Sequence, residues 1–266
     1  MTNAQLFLKR IGMDASTGIE FNKAFLDSVQ YHAVTSIAYE NLDLIDKKPL
    51  SLEPMDVFKK IVIDGRGGYC FELNGLLSWF FKELGFEVKD YFARFLRGEE
   101  QIPMRRHRIM SVKCENELYI CDIGVGQIAP RHPLKLVENE VQTQFGESYK
   151  FTKDENLGWI LWDLHNDEWR KYISFTEETQ YEIDFVPTSY YCEASPYSNL
   201  NKTAIIAIKT HDGRKTINDG DYKVFKGDEL MYIEENISDE RFCKLLKSEF
   251  NINIAREYCE GRIWKE

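Results

Sequence analysis

The chain has 266 residues, a formal net charge of -10 at pH 7, and a composition that is 43% hydrophobic and 14% aromatic. These values predict a folded protein with a substantial core, as one large domain or two to three small ones. The acidic balance argues against a general nucleic-acid binder. Residues 1–14 hold no long apolar run, and the longest late run, residues 204–208, is far too short to span a bilayer, so neither a secretory signal nor a membrane partner is expected.

The six cysteines of a chain without a signal segment predict reduced thiols and a cytoplasmic location. No Cys-x-x-Cys pair occurs, which argues against a zinc site, and no metal is expected. The glycine-rich phosphate loops of nucleotide-binding proteins are also missing from the sequence.

The first 85 residues are predicted to be mainly helical. In the last helix of this part, apolar residues recur at three- and four-residue spacing from Leu73 to Leu84, and Gly85 then supplies a stop signal. The predicted helices are residues 2–11, 21–36, 55–62 and 70–84.

Cys70 stands directly before that apolar stripe and directly after two glycines. The sequence predicts it in or just before the first turn of the helix, with Gly67 and Gly68 allowing backbone angles that other residues avoid. A helix N-terminus favours negative charge, so we expect a lowered thiol pKa and a nucleophilic thiolate. The alternative is a buried structural cysteine, since free cysteine is among the most buried residue types.

From residue 87 the pattern changes to strands joined by short polar turns, which favours antiparallel hairpins. The predicted strands are residues 88–96, 108–114, 118–123, 149–152, 159–164, 168–175 and 182–187. After a linker at residues 190–203, the last part is predicted to hold strands at 204–210, 215–218, 222–225 and 229–233, and a closing helix at 238–250 with Ser238 as its N-cap.

His107 is the one histidine of five that stands in a pattern with chemical sense. It precedes the strand 108–114, residues 115–116 form a predicted two-residue turn, and Asp122 follows on the returning strand. In that register Ile109 faces Asp122, so His107 and Asp122 are diagonal neighbours on one face, and a one-residue slip would separate them. Asp122 could then orient the imidazole. The alternative is a histidine and an aspartate at a solvated rim.

These elements predict an α+β protein of several domains with a core of the cysteine-protease or transglutaminase type. We expect an N-terminal helical bundle in residues 1–85 that carries Cys70 and a central antiparallel β-barrel-like domain in residues 86–189 that carries His107 and Asp122. Residues 204–266 are expected to form a small α/β lid domain. The candidate site then lies at a domain interface, a common place for a cleft.

Cys70, His107 and Asp122 come in the chain order of a cysteine–histidine–aspartate triad. Their surroundings resemble the arylamine N-acetyltransferase family in two segments, Arg66-Gly67-Gly68-Tyr69-Cys70-Phe71-Glu72-Leu73-Asn74 and Asp122-Ile123-Gly124-Val125-Gly126. Tyr39-Glu40-Asn41-Leu42 and Ser195-Pro196-Tyr197-Ser198 are similar to further segments of that family. The resemblance spans nearly the whole chain, and its glycine–cysteine block is highly specific.

The resemblance implies that Cys70 takes an acetyl group from acetyl-coenzyme A as co-substrate and passes it to an aromatic amine or hydrazine. His107 would pair with the thiolate, and Asp122 would hold the imidazole. The backbone N–H of Cys70 is a candidate donor to the tetrahedral intermediates, where losing one donor typically costs about 3 kcal/mol. Neither the natural acceptor nor the oligomeric state follows from these motifs.

The loop after Asp122 is implied to line the acyl and amine pocket. Val125 replaces an aromatic residue found in some family members, which should leave a roomier pocket. Phe95 is either an aromatic contact of this pocket or a packed strand residue. The expected pocket residues are Tyr69, Phe71, Val125, Gly126 and Gln127.

A group of basic residues near His107 is expected to attract the coenzyme phosphates, unless it is a solvated loop. It consists of Arg94, Arg97, Arg105, Arg106 and Arg108. The coenzyme contacts expected from the resemblance are Met104, Arg105, Arg106 and Thr210. Later basic residues that could contribute are Lys202, Lys209, Arg214 and Lys215.

The resemblance also suggests a structural ion pair between Arg66 and Glu40, with Asp43 as a further acceptor. The pair would hold the segment that carries Cys70. If the two were solvated surface charges instead, they would contribute about 1 kcal/mol or less.

Two other interpretations of Cys70 stay open. A transglutaminase-like or papain-like hydrolase acting on amides uses the same residue order, and activity on peptides without acetyl-coenzyme A would favour it. An inert, buried Cys70 would react with a thiol reagent no faster than the other cysteines. The Arg-Gly-Gly-x-Cys-Phe-Glu block and the Asp-x-Gly-x-Gly loop favour acetyl transfer.

Overall fold

The protein is described here by a computed structural model, which covers residues 1–14, 16 and 18–254. The N-terminal part is helical, and a π-helical turn at Lys59–Ile63 continues its fourth helix. The helices are α1 (Asn3–Arg10), α2 (Lys23–Ser36), α3 (Leu42–Ile45), α4 (Pro54–Phe58) and α5 (Cys70–Glu83). The apolar stripe of α5 is buried in one core with residues of α1 and α2, so the helix that begins at Cys70 is firmly packed.

Eight strands form one antiparallel sheet that is barrel-like and nearly closed. The strands are β2 (Glu87–Phe95), β3 (His107–Cys114), β4 (Glu117–Cys121), β5 (Leu134–Lys135), β6 (Gln142–Gln144), β7 (Glu147–Asp154), β8 (Gly158–His165) and β9 (Glu168–Phe175). Their spatial order is β5-β4-β3-β2-β9-β8-β7-β6. Contacts of α5 with β2 and β3 hold the helical part against this sheet.

The hairpin of β3 and β4 has the register predicted from its turn. Cys114 pairs with Glu117, and Glu115 and Asn116 have φ values of 51° and 64°. Both values lie in the left-handed region, as a two-residue hairpin turn of type I′ requires. The register therefore brings the start of β3 and the end of β4 to the same edge of the hairpin.

A second sheet joins the two ends of the chain. Its strands are β1 (Tyr39–Glu40), β10 (Ile205–Lys209), β11 (Gly213–Asn218), β12 (Asp221–Lys226) and β13 (Glu229–Glu234). Tyr39 pairs with Ala207 across the β1–β10 ladder. The last helix, α7 (Asp239–Phe250), begins at the N-cap Ser238 as predicted and buries its apolar residues against this sheet.

The prediction of a strand at residues 182–187 is wrong, because the helix α6 (Glu182–Ala194) occupies it and the first residues of the expected linker. The local sequence is rich in aromatic and β-branched residues, which favour strands. The Asp184 carboxylate accepts a hydrogen bond from the Tyr181 N–H at 2.7 Å, which caps the helix start. Phe185 and Cys192 are buried against the residues around Cys70, so tertiary packing decides for the helix.

Four cysteines of the described residues, Cys70, Cys114, Cys121 and Cys192, are free thiols, whereas Cys243 is disulfide-bonded. The prediction of six reduced thiols is thus wrong for Cys243, because sequence spacing does not reveal which sulfur atoms meet in the fold. Within the described part of the chain, no helix combines the length and the apolar character needed to cross a membrane.

Candidate active site

The segment before Cys70 lies against β1. The Glu40 N–H donates to the Gly68 carbonyl at 2.9 Å, and a Cβ at position 67 would lie 2.3 Å from the Ala38 carbonyl oxygen. Only glycine permits this approach. Neither Gly67 nor Gly68 has a positive φ. Close packing, and not a left-handed backbone, is therefore the reason for the glycine at position 67.

Arg66 is bound to two carboxylates of the upstream segment. Its Nη2 donates to Glu40 Oε1 at 2.7 Å and to Asp43 Oδ1 at 3.1 Å. The second oxygen of Glu40 accepts a hydrogen bond from the Leu42 N–H at 2.8 Å. Glu40 is 1% exposed, so this contact is a buried ion pair and not a pair of solvated charges.

Lys60 extends this ion pair to the start of α5. Its Nζ lies 2.7 Å from Asp43 and 2.8 Å from Glu72, and the other oxygen of Glu72 accepts from the Tyr69 N–H at 3.2 Å. Burial alone would raise the pKa of Asp43, but Lys60 and Arg66 outweigh it and hold that pKa at about 2. The start of the helix that carries Cys70 is thus fixed by paired charges.

His107 and Asp122 form a direct contact at the edge of the β3–β4 hairpin. Their Nε2 and Oδ2 atoms are 2.7 Å apart, and the two residues are 3% and 4% exposed. With Nε2 turned to the carboxylate, Nδ1 is the ring nitrogen left for a second partner. Asp122 is therefore placed to orient the ring and to balance a positive charge on it.

The other carboxylate oxygen of Asp122 has two donors. Asn74 Nδ2 and the Gly124 N–H each lie 2.8 Å from Oδ1, and Asn74 Oδ1 accepts from the Ile123 N–H at 2.9 Å. A Cβ at Gly124 would lie 2.8 Å from the Cα of Cys70, so the loop after Asp122 packs directly on the first turn of α5. This contact brings the carboxylate and the cysteine to one place.

The environment of the Cys70 thiol differs from the sequence prediction. Burial raises its pKa well above the ordinary value, and Cys192 and the Asp122 carboxylate raise it further, while backbone N–H groups of Arg108 and Phe71 oppose the shift. The predicted lowering by the helix N-terminus is outweighed, because a desolvated thiolate is costly. Burial thus disfavours the Cys70 thiolate, and a nearby base that accepts the proton would favour it.

Cys70 and His107 both line one cavity of about 410 Å³ between the two sheets. Its walls are largely apolar and come from the loop after Asp122, from β2 and from β10–β12. Besides these two residues, the cavity is lined by Tyr39, Phe95, Arg106, Gly124, Val125, Gly126, Gln127, Leu200, Ile205, Ile206, Ala207, Thr216, Ile217, Asn218, Lys223 and Phe225. Three expected pocket residues, Val125, Gly126 and Gln127, are among them, and so is Phe95.

Tyr69 and Phe71 do not belong to the described lining of this cavity, which corrects their assignment to the pocket. Both are buried in a cluster that α6 covers. The Tyr69 hydroxyl shares a hydrogen bond with Ser189, and the Phe71 ring lies 5.8 Å from the ring of Phe185. The pattern of residues 182–187 predicts a strand, and it gives no sign that this segment packs on α5 as a helix and covers both side chains.

Arg108 is unable to bind coenzyme phosphates, contrary to the expectation for the basic group. It is fully buried, and its guanidinium donates to Asp90 at 2.9 and 3.0 Å and to Glu182 at 2.7 Å. A buried guanidinium requires such partners, since its desolvation is costly. Arg108 instead joins the sheet to α6.

Two further arginines of that group are bound to other parts of the sheet region. Arg94 donates to the Pro103 carbonyl, and Arg97 pairs with Asp163 of β8. Of the later basic residues, Lys209 is buried against Glu147 at 2.6 Å, and Lys215 contacts Glu249 at 2.8 Å.

The expected coenzyme contacts are not brought together at the cavity. Arg106 lines it, with a Glu99 carboxylate 3.5 Å away. Met104 is exposed, and Arg105 lies 3.6 Å from Glu178 at the surface. Thr210 directly follows β10, whose first three residues, 205–207, line the cavity. Its carbonyl oxygen accepts a hydrogen bond from Arg131 at 2.9 Å.

Several residues of the site escaped the sequence analysis. Asn74 holds Asp122, and Tyr39, Asn218 and Phe225 contribute to the cavity. The position of Asn74, one turn after Cys70 on the same helix, was the available signal. Residues 204–266 are expected to form a lid, but no local pattern singles out the residues of β10–β12 that line the cavity.

Within the described residues, no cluster of three or more histidine, cysteine, aspartate or glutamate side chains is arranged to hold a metal ion. The arrangement of Cys70, His107 and Asp122 contains the parts of nucleophilic catalysis: a thiol, a base and a carboxylate that orients the base. The thiol and the base line a cavity wide enough for a small apolar molecule, and Asp122 contacts the base.

Comparisons with known proteins agree on one family. A model described as N-acetyltransferase matches residues 24–259. An arylamine N-acetyltransferase of Mycobacterium tuberculosis is 31% identical over 237 residues, which cover 86% of this chain and 82% of that protein.

Solved structures show the same fold. The arylamine N-acetyltransferase structure from M. tuberculosis matches with a TM-score of 0.90 and 27% identity, over 98% of this chain and 99% of that chain. The Mycobacterium marinum arylamine N-acetyltransferase, solved in complex with CoA, matches with a TM-score of 0.88 and 25% identity, over 97% of both chains.

Proposed function

Because this chain belongs to the arylamine N-acetyltransferase family, we propose that it transfers an acetyl group from acetyl-coenzyme A to an aromatic amine or hydrazine by a ping-pong route through acetyl-Cys70. The observation that carries this proposal is the convergence of Cys70 and the His107–Asp122 pair on one cavity. The M. marinum relative in complex with CoA supports the choice of acyl donor.

In the first half-reaction, the Cys70 proton passes to the free ring nitrogen of His107. The sulfur attacks the thioester carbonyl, and the tetrahedral intermediate collapses to acetyl-Cys70. The coenzyme leaves as a thiolate and takes the proton back from His107. Because thiol and leaving group are chemically alike, the barrier depends mainly on forming the attacking thiolate.

Asp122 would make that proton transfer favourable. Its carboxylate lies 2.7 Å from the ring and stabilises the imidazolium that forms when Cys70 is deprotonated. Burial keeps the pKa of the isolated thiol high. The nucleophile in this proposal is therefore a thiolate–imidazolium pair that exists only with both residues present.

In the second half-reaction, the amine attacks the acetyl carbonyl of the thioester. His107 accepts the proton that the amine loses and returns it to the Cys70 sulfur. The Cys70 N–H is the proposed donor to the oxyanion in both steps. The acceptor ring would lie among Tyr39, Phe95, Val125 and Phe225, whose apolar and aromatic surfaces suit an aryl group.

We further propose that three parts of the chain each contribute to the active site. Residues 1–85 supply Cys70, and residues 86–189 supply His107 and Asp122, in the manner of a cysteine-protease or transglutaminase core. Residues 204–266 act as the lid, which is supported by the cavity residues that β10–β12 contribute. Arg106 is the best supported of the proposed coenzyme contacts, because it alone of Met104, Arg105, Arg106 and Thr210 lines the cavity among the described residues.

The test is to incubate the protein with acetyl-coenzyme A alone and to measure its intact mass, followed by peptide mapping. We expect one acetyl group on Cys70 that is discharged when an arylamine is added, and none in Cys70→Ser. Cys114→Ser is the matched control, since Cys114 is a buried thiol that donates to the Phe21 carbonyl at 3.6 Å outside the cavity lining. An unmodified Cys70, together with cleavage of peptide amides, would overturn the proposal in favour of a hydrolase.

A further inference from the structure

A second cavity of about 280 Å³ lies next to the one that contains Cys70. The two cavities share one lining residue, Gln127. The walls of the second cavity are polar. Three arginines from separate parts of the chain line it: Arg97 in the loop after β2, Arg170 on β9 and Arg214 on β11.

The carboxylates at this cavity are too few for its cations. Asp163 forms ion pairs with both Arg97 and Arg170, and its distance to Arg170 is 3.6 Å. The Asp228 carboxylate lies 3.3 Å from the Arg214 guanidinium and 2.9 Å from the His165 ring. Among the described lining residues, three guanidinium groups thus depend on two shared aspartates.

Glu147, the remaining acidic residue of the lining, is already engaged. It lies 2.7 Å from Arg131 and 2.6 Å from Lys209, both almost fully buried. The pKa of Lys209 is lowered to about 8, first by burial and then by the charges of Arg131 and Arg214. Among the described residues, five basic side chains (Arg97, Arg131, Arg170, Lys209 and Arg214) thus share three carboxylates in this region, those of Glu147, Asp163 and Asp228.

The arginines also have hydrogen-bonding capacity left over. Within the part of the chain that the structure describes, the Nε–H groups of Arg97, Arg170 and Arg214 have no acceptor, and Asp163 Oδ1 has no donor. Buried polar groups are normally paired, and these four atoms have almost no accessible surface, so they can gain a partner only if the arginine and aspartate side chains rearrange. Three guanidiniums repel a cation, and the polar walls do not suit an apolar ligand.

We propose that this cavity is a binding site for a phosphate group, held by Arg97, Arg170 and Arg214. Guanidinium groups match the tetrahedral oxygens of phosphate in charge and geometry. Because Gln127 lines both this site and the Cys70 cavity, a phosphate-bearing thioester could occupy both. This extension to the acyl donor rests on the proposed function, whereas phosphate binding itself does not.

The test compares the binding of three probes by titration calorimetry: coenzyme A, pantetheine, which lacks the phosphates, and inorganic phosphate. The test variant is Arg170→Gln, which removes a guanidinium group from a side chain that is 38% exposed. Arg170→Lys keeps the positive charge but lacks the two parallel N–H donors of the guanidinium. The matched control is Arg241→Gln on α7, where the arginine side chain is 40% exposed and paired with Glu234 of β13. We expect Arg170→Gln to weaken coenzyme A or phosphate binding roughly tenfold, with a smaller loss in Arg170→Lys.

Pantetheine binding should be unchanged in every variant, and Arg241→Gln should bind all probes as the original protein does. Displacement of inorganic phosphate by coenzyme A identifies the coenzyme as the source of the phosphate, and independent binding identifies free phosphate. Unchanged affinities of Arg170→Gln for both phosphate-bearing probes would overturn the site. Acetylation of Cys70 by S-acetylpantetheine tests the proposed function separately, because that donor carries no phosphate.

Discussion

Asn74 donates a hydrogen bond of 2.8 Å to Oδ1 of Asp122, and so connects the helix that begins at Cys70 with the hairpin that carries His107. Asn74 lies one turn after Cys70, so a single rigid helix positions both the candidate nucleophile and the carboxylate behind the candidate base. The geometry of the site therefore depends on the packing of α5 against β3 and not on a flexible loop.

Replacing Asn74 with alanine should impair catalysis more than stability. The change removes one of the two donors to Asp122 Oδ1 and leaves the buried Ile123 N–H without its acceptor, which typically costs about 1–3 kcal/mol of unfolding free energy. We expect the Cys70 acetylation rate to fall at least about tenfold at saturating donor, with a shifted pH–rate profile, since the imidazole loses its fixed orientation.

The control for Asn74→Ala is Gln142→Ala on β6. The Gln142 amide likewise accepts from and donates to one backbone segment, at Lys135, with both distances 2.8 Å. Its loss should affect stability alone. A pH–rate profile of Asn74→Ala that matches the original protein would show that Asn74 has only a structural role.

His107→Gln should expose the high pKa of the Cys70 thiol. Burial raises that pKa, so without the base the sulfur is alkylated only at alkaline pH. In the original protein, proton transfer to His107 should permit alkylation near neutral pH. Mass spectrometry of Cys70 after iodoacetamide treatment should show a rate about a hundredfold lower in the variant at pH 7. Identical pH profiles of the two proteins would exclude His107 as the base.

Gly124→Ala should separate the hairpin from the helix. The new Cβ would lie 2.6 Å from Asn74 Nδ2 and 2.8 Å from the Cα of Cys70, so the backbone must move. We expect a loss of about 1–3 kcal/mol in unfolding free energy and a strong reduction in Cys70 acetylation. Gly18→Ala is the control, because a Cβ there meets nothing within 4 Å. Full activity of Gly124→Ala would contradict the described contact between loop and helix.

Asp43→Asn should make stability less dependent on acid pH. The folded-state pKa of about 2 is below the ordinary 3.8, so the charged Asp43 stabilises the fold fully above pH 3.8, and this contribution is lost as the pH falls towards 2. The variant should be about 2 kcal/mol less stable than the original protein at pH 7 and similar to it near pH 2.

Chemical denaturation across this pH range measures the difference for Asp43→Asn. Glu87→Gln is the control, since Glu87 is 57% exposed and its 3.3 Å contact with Lys113 is a surface pair. Such a pair should contribute less than about 1 kcal/mol. A stability difference for Asp43→Asn that is the same at pH 7 and pH 2 would show that its charge is not the cause.

The sequence by itself determined the parts of the site that depend on local rules. The apolar spacing from Leu73 to Leu84 indicated the helix after Cys70, and the two-residue turn at 115–116 set the register that aligns His107 with Asp122. Both follow from the periodicity of side chains and from turn geometry, which neighbouring residues settle among themselves.

Only the tertiary structure decided how distant residues share space and charge. Residues 182–187 are part of a helix that packs against Phe71, although their local pattern favours a strand. Arg108 is paired with Asp90 and Glu182 and is not available to a phosphate. Burial likewise raised the pKa of Cys70 against the effect of its helix end. Desolvation and ion pairing depend on which surfaces meet in the fold, and no local pattern in the sequence records that.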